Sequence, residues 1–205
     1  MDALPLYLTA SLLLIITPGP DFLFVLGRGV VDGRGAGLMS AAGVSAGILV
    51  HTLAAALGLA VLLSAVPRIF WILKMAGGLY LLVQGLLLIR DRQNGSVGQV
   101  LAAADLRACF VQGLVSNVCN PKVAFFFIAF LPQFVMVDIP GQGLAMAGLG
   151  LIYALMTMVF LALLALFAGR FSAWLNTERR AARFRTVSGI LVMLLGLRLL
   201  LPIKG

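Results

Sequence analysis

Thr17-Pro18-Gly19-Pro20-Asp21 lies inside an apolar run from Ala3 to Leu26, and no unbroken helix can pass through it. Pro18 and Pro20 each remove a backbone donor and push the preceding residue out of the helical region. The spacing therefore predicts two half-helices meeting at bilayer depth. Backbone groups freed at such a break are tolerated in a membrane only where protein or a water-filled cavity satisfies them. A lined cavity is the expected consequence. Asp21 is the only acidic residue inside any apolar run of this sequence, and a merely kinked helix has no need of it.

The other apolar stretches make the membrane setting general. With 62% hydrophobic residues, 11% charged residues and a mean hydropathy of +1.11, the chain is too apolar for a soluble domain, where charged residues run near about 25%. Six stretches stand out: Leu4 to Leu26, Ala36 to Val66, Ile69 to Ile89, Cys109 to Val137, Gly143 to Phe171 and Val187 to Leu201. At about 20 residues per crossing they use most of the chain as a single transmembrane domain. The connection Arg90 to Ala108 has too little apolar content to form a separate catalytic domain.

The formal charge of +8 would suggest nucleic acid in a soluble protein. Here the arginines sit at the ends of apolar runs instead, so no nucleic-acid partner is expected. Under six spans, one face holds Arg28, Arg34, Arg90, Arg92, Arg107, Arg170, Arg179, Arg180, Arg183 and Arg185. The other holds Arg68, Lys74, Arg198 and Lys204. By the positive-inside rule both termini are expected outside the cytoplasm. The N-terminus lacks the basic start and the cleavage site of a signal peptide, so the first run is expected to stay as a span. For the last span, short and carrying Arg198, a full crossing is the least secured by the sequence.

A second break, Asn117-Val118-Cys119-Asn120-Pro121-Lys122, opens the second half. Pro20-Asp21 aligns with Pro121-Lys122 at an offset of 101 residues, and Lys74, Gly78 and Gly85 align with Arg185, Gly189 and Gly196 at an offset of 111. Gly43 and Gly148 match at 105. Two three-span units, about residues 1–90 and 108–205 with a cytoplasmic linker between, must enter the membrane in opposite directions. The expected fold is all-α, with six transmembrane helices in two inverted repeats and the first and fourth helices broken. Secondary transporters that alternate access around a fixed site are commonly built this way.

Pro18-Gly19-Pro20, the basic connection Arg28 to Gly37, the glycine-rich Gly43 to His51, and Asn120-Pro121-Lys122 followed by Phe130-Leu131-Pro132-Gln133-Phe134 together resemble the LysE/RhtB family of amino-acid exporters. The resemblance covers essentially the whole chain. It implies a carrier of the bacterial inner membrane that exports amino acids or close derivatives by proton antiport. No cofactor and no enzymatic activity are implied, and homo-oligomerisation stays open. In this family the residue after Pro-Gly-Pro varies, so Asp21 would tune substrate choice. Val123 replaces the small residue expected after Asn-Pro-Lys, which would narrow the cavity.

The candidate substrate site comprises Thr17, Pro18, Gly19, Pro20, Asp21, Asn117, Asn120, Pro121 and Lys122. Asn120 suits an N-cap and Pro121 the first helical position, so Lys122 sits where exposed amides and the helix dipole favour an anion. Lys122 would hold a substrate carboxylate and Asp21 its ammonium. The competing reading is that the two charges neutralise each other and pin the repeats together, since each alone is costly at the bilayer centre. By residue count the two fall on opposite sides of the midplane, so substrate or water would bridge them.

His51 and Asp21 are the proton-coupling candidates. A lone histidine in a glycine-rich helix also reads as a packing residue that donates to a nearby carbonyl. Gly37, Gly43, Gly47 and Gly58 suggest close helix packing, and Tyr80, Gln84, Tyr153 and Thr157 are available to line a cavity, though no spacing selects them. Two rival classes share the two-repeat plan. A thiol-disulfide carrier would place one reactive cysteine in each unit, whereas Cys109 and Cys119 both lie in the fourth span, ten residues apart. For a small-cation exporter, one acid and one histidine are a poor cage, so no metal site is expected. Nor does a paired-acid or His-Glu-x-x-His pattern suggest a membrane enzyme.

Overall fold

A computed structural model describes residues 3–59, 67–90, 105–135, 141–175 and 177–201, and the described residues contain helices and turns without strands. The first apolar run divides into α1 (Ala3–Ile16) and α2 (Pro20–Val31), bent by 53° at the Pro-Gly-Pro break. A long helix α3 (Arg34–Ala54) continues through a π turn at Ala55–Leu59 and is followed by α4 (Pro67–Arg90). In the second half, α5 (Leu106–Val118) bends by 48° into α6 (Pro121–Phe125), which runs on as a π turn (Phe126–Phe130) and a 3-10 turn (Leu131–Phe134). The chain closes with α7 (Gln142–Leu166), α8 (Ala168–Leu175) and α9 (Glu178–Leu200).

Both breaks have the same local cause. Gly19 and Asn120 are extended N-caps followed by proline at the first helical position, and Asn120 accepts a hydrogen bond from the Lys122 amide at 3.0 Å. Proline loses nothing there, because the first amides of a helix have no partner within it. Asp21 and Lys122 consequently occupy the same position of the two second half-helices.

Two described helices are long and apolar enough to cross a membrane, Arg34–Gly58 and Gln142–Leu166, and each bent pair passes as one broken span. Met75–Leu87 is apolar but shorter. Leucines 12, 49, 155 and 163 face outward from these helices, the arrangement a lipid surroundings favours. The protein is an all-helical, multi-pass membrane protein. The sequence-based boundaries shift in three places. The fifth apolar run ends α7 at Leu166 and resumes as the short α8; α9 starts nine residues before its apolar run; and most of the Arg90 to Ala108 linker lies outside the described residues.

Small residues set the helix approaches. α3 crosses α5 at backbone contact, so that a Cβ on Gly43 would collide with the Phe110 carbonyl and one on Gly113 with the Ser40 carbonyl. α4 and α9 cross likewise: Gly78 meets the Gly196 carbonyl and Gly85 the Gly189 carbonyl, so the two helices run antiparallel. Van der Waals fit drives association in lipid, where small residues let backbones come close. Gly37, Gly43 and Gly47 thus act in packing as expected. For Gly58, no atom of the described residues lies within 4 Å of a Cβ placed there.

Among the described residues, the interior holds two apolar clusters. One gathers Tyr7, Leu14, Ile48, Phe126, Phe127, Met146 and Tyr153; the other gathers Phe22, Val25, Leu26, Val44, Leu161 and Ala165. α1 and the segment after the second break belong to the first cluster, and α2 to the second.

Candidate functional site

At the first break, the end of α1 leaves carbonyls without helical partners. Thr17 returns its amide and its hydroxyl to the Leu13 carbonyl at 3.2 and 2.7 Å. The Leu14 and Thr17 carbonyls are taken by Lys122, whose Nζ donates to them at 2.9 and 3.0 Å. Gly19 leaves room for this: a Cβ there would lie 3.2 Å from the ammonium. At the second break the Asn117 carbonyl accepts from the Asn120 amide at 2.9 Å and from His51 Nε2 at 3.2 Å. The His51 ring also stacks on Phe127, with centroids 5.7 Å apart. His51 therefore takes the packing geometry, satisfying a freed carbonyl from α3.

Asp21 completes the exchange in the other direction. Its carboxylate accepts from Ser116 Oγ at 3.1 Å, Asn117 Nδ2 at 2.7 Å and Asn120 Nδ2 at 2.8 Å, all from the second break. A carboxylate only accepts, and here it meets donors only. Asp21 of one half is held by the amides of the other, and Lys122 of the other half is held by the carbonyls of the first. The two charges form no ion pair with each other, so the mutual-neutralisation reading of the sequence does not describe this state.

Asp21 and Lys122 nevertheless line one small cavity. A cavity of about 20 Å³ is lined by Ile15, Asp21, Phe22, Ile48, Asn117, Lys122, Val123, Tyr153, Thr157 and Leu161. That is room for about one water. Its wall draws on both apolar clusters, and Val123 is part of it. Gly47 seats Asn117, since a Cβ there would come within 2.8 Å of its side chain.

Of the sequence candidates, the structure brings Asp21, Asn117 and Lys122 into the wall and places Thr17, Gly19, Asn120 and His51 one contact behind it. Pro18, Pro20 and Pro121 shape the breaks. Of the four possible lining residues, Tyr153 and Thr157 are in the wall, whereas Tyr80 stacks on Phe125 at 4.6 Å and Gln84 is elsewhere on α4. Ser116 is a site residue that sequence reasoning passed over, although it directly precedes the Asn117 motif.

Arg28 is a clear correction. It reads as part of a basic connection, yet it is a buried residue in the last turn of α2, paired with Asp32 at 2.6 Å and donating to Gln112 of α5. The signal was its i, i+4 spacing from Asp32. The cysteines are both free, Cys109 buried and Cys119 exposed, and both belong to α5 or its C-cap.

The sequence model of the LysE type translocator family matches residues 12–202. Among similar proteins, an uncharacterized membrane protein of Pseudomonas aeruginosa is 32% identical over 195 residues, covering 93% of this chain and 90% of its own. The leucine efflux protein of Klebsiella pneumoniae is 29% identical over 178 residues, covering 86% of this chain and 84% of its own. The leucine efflux protein of Salmonella choleraesuis is 27% identical over the same length, with the same coverage. No solved structure matches. With two proline-broken helices and a family match that runs through both of them, the chain belongs to the LysE type translocator family.

Proposed function

We propose that this translocator exports amino acids with medium-sized apolar side chains, leucine among them, across the bacterial inner membrane by proton antiport with alternating access. The observation that carries the reading is the cavity wall. Asp21 and Lys122 stand in it without pairing to each other, and Ile15, Phe22, Ile48 and Leu161 surround them. A zwitterion needs one group of each sign, and an aliphatic side chain needs an apolar remainder. Leucine also stands in the names of two relatives. The ammonium of Lys122 disfavours the cation-exporter alternative, and the placement of both cysteines on one half, at the start of α5 and at its C-cap, disfavours the thiol carrier.

A cavity of about 20 Å³ is far too small for leucine, so transport requires the wall to open to one side and then the other. The antiparallel α4–α9 contact supports an inverted repeat behind this motion. Gly78 corresponds to Gly189 and Gly85 to Gly196 in the alignment of the halves, and in space Gly78 meets Gly196 while Gly85 meets Gly189. Such reciprocal pairing is what a two-fold axis between equivalent elements produces. With His51 occupied in packing, Asp21 is the better proton-coupling group, its proton being exchanged against the substrate ammonium.

Cells overproducing the protein should resist toxic leucine analogues and excrete leucine at a raised rate, about tenfold over cells carrying an inactive Lys122→Gln protein at equal membrane level. Unchanged resistance and excretion across apolar, basic and acidic amino acids, with insertion verified, would remove the proposal.

A further inference from the structure

Thr157 stands on α7 in the cavity wall with Asp21, Asn117 and Lys122. It is 6% exposed, and its hydroxyl has no hydrogen-bond partner. Threonines inside helices commonly bond the carbonyl one turn back. Thr9, Thr17 and Thr52 do so, at 2.8, 2.7 and 2.8 Å. Thr157 has the Tyr153 carbonyl in the corresponding place and does not use it. A buried hydroxyl left unpaired costs stability; Ser11, Ser40 and Ser45 carry such hydroxyls too, but of the four only Thr157 lines the cavity, where a partner from outside the chain can reach it.

The rest of the wall indicates what that partner offers. Lys122 Nζ gives two of its three protons to the Leu14 and Thr17 carbonyls, which leaves one for a ligand. A carboxylate has room for about four hydrogen bonds, so a second donor is needed beside the ammonium. On the opposite charge, Asn117 gives its amide hydrogen to Asp21, and its own Oδ1 is buried and unpartnered. An amide oxygen accepts only. The acceptor end of the wall is thus supplied by Asp21 and Asn117 Oδ1, and its donor end by Lys122 and a hydroxyl that is not otherwise engaged.

We infer that Thr157 is a substrate-binding residue whose hydroxyl donates to the carboxylate held by Lys122, while Asn117 Oδ1 accepts from the ammonium held by Asp21. The inference rests on the amino-acid reading above and adds to it a ligand contact from α7, in the second repeat's middle helix. It also explains why the site needs α7 at all, since both charges come from the broken helices.

The test uses the purified full chain in liposomes, with counterflow of labelled leucine and thermal unfolding of the ligand-free protein. Thr157→Val keeps the shape and removes the hydroxyl; Thr157→Ser keeps the hydroxyl. Loss of a hydrogen bond to a charged group should raise the leucine KM about tenfold or more in Thr157→Val. The Tm should stay equal to or rise above that of the unsubstituted protein, because no internal bond is lost. Thr157→Ser should stay within about threefold of the unsubstituted KM. A Thr157→Val protein with unchanged KM, or one with a lowered Tm or no folded form, overturns the inference and leaves the amino-acid reading standing. If the unsubstituted protein shows no counterflow of leucine or any other amino acid, the amino-acid reading fails and this inference goes with it.

Discussion

Asp21 accepts from three side chains and Lys122 gives two of its protons to carbonyls, and neither charge is the other's partner. This changes what substitution should do. In a mutually neutralising pair, a single neutral replacement strands the other charge and a double replacement relieves it. Here Asp21→Asn turns one of the two oxygens that serve Ser116, Asn117 and Asn120 into a donor, and Lys122→Gln withdraws the ammonium from two carbonyls, so the losses are separate. Each single variant should lower efflux at least about tenfold, and Asp21→Asn/Lys122→Gln should insert yet stay as inactive as the worse single variant. Recovery of substantial efflux in a well-expressed double variant, with membrane level measured alongside, would contradict the binding role. The identity of these two residues was legible because proline fixes a break locally. Their partners were not, because Lys122 bonds backbone carbonyls 105 and 108 residues away, and a carbonyl carries no sequence signature. Thr157 could be named as a possible lining residue but not selected, for a related reason: an apolar helix with one threonine reads the same whether the hydroxyl turns back to the helix or into a cavity.

At the scale of elements, the breaks and most helices follow from proline position and apolar length, whereas the ends and irregular turns follow from context. α9 extends ahead of Val187 because Glu178 to Arg185 are mostly good helix formers that need no membrane. Phe126–Phe130 becomes a π turn ahead of Pro132, whose ring cannot donate to the carbonyl one turn back, so the preceding turn widens. Arg28 shows how charge can mislead an element boundary: it belongs to α2 and is neutralised by Asp32. Removing it from the basic face leaves nine basic residues there against four on the other, from the ten and four in the sequence. The asymmetry persists, so both termini should be extracytoplasmic. Reporter fusions at Met1 and Gly205 read this directly; opposite locations for the two ends would require an odd number of spans and break the inverted repeat.

For the whole molecule, the proposed transport cycle follows from how the two halves satisfy each other. Each break lends the other what it lacks, donors to Asp21 and a cation to the α1 carbonyls, and the small cavity between them is walled by apolar side chains from both clusters. Moving one half against the other would exchange these internal bonds for bonds to a bound zwitterion, so neither the empty nor the loaded site leaves its charges bare. The most direct test is counterflow in liposomes holding the purified protein and preloaded with unlabelled leucine. Labelled leucine should accumulate transiently above its outside concentration and saturably, with lysine and glutamate competing at least about tenfold more weakly. A folded, reconstituted protein that exchanges no amino acid, or one on which lysine and glutamate compete as well as leucine, would contradict the account.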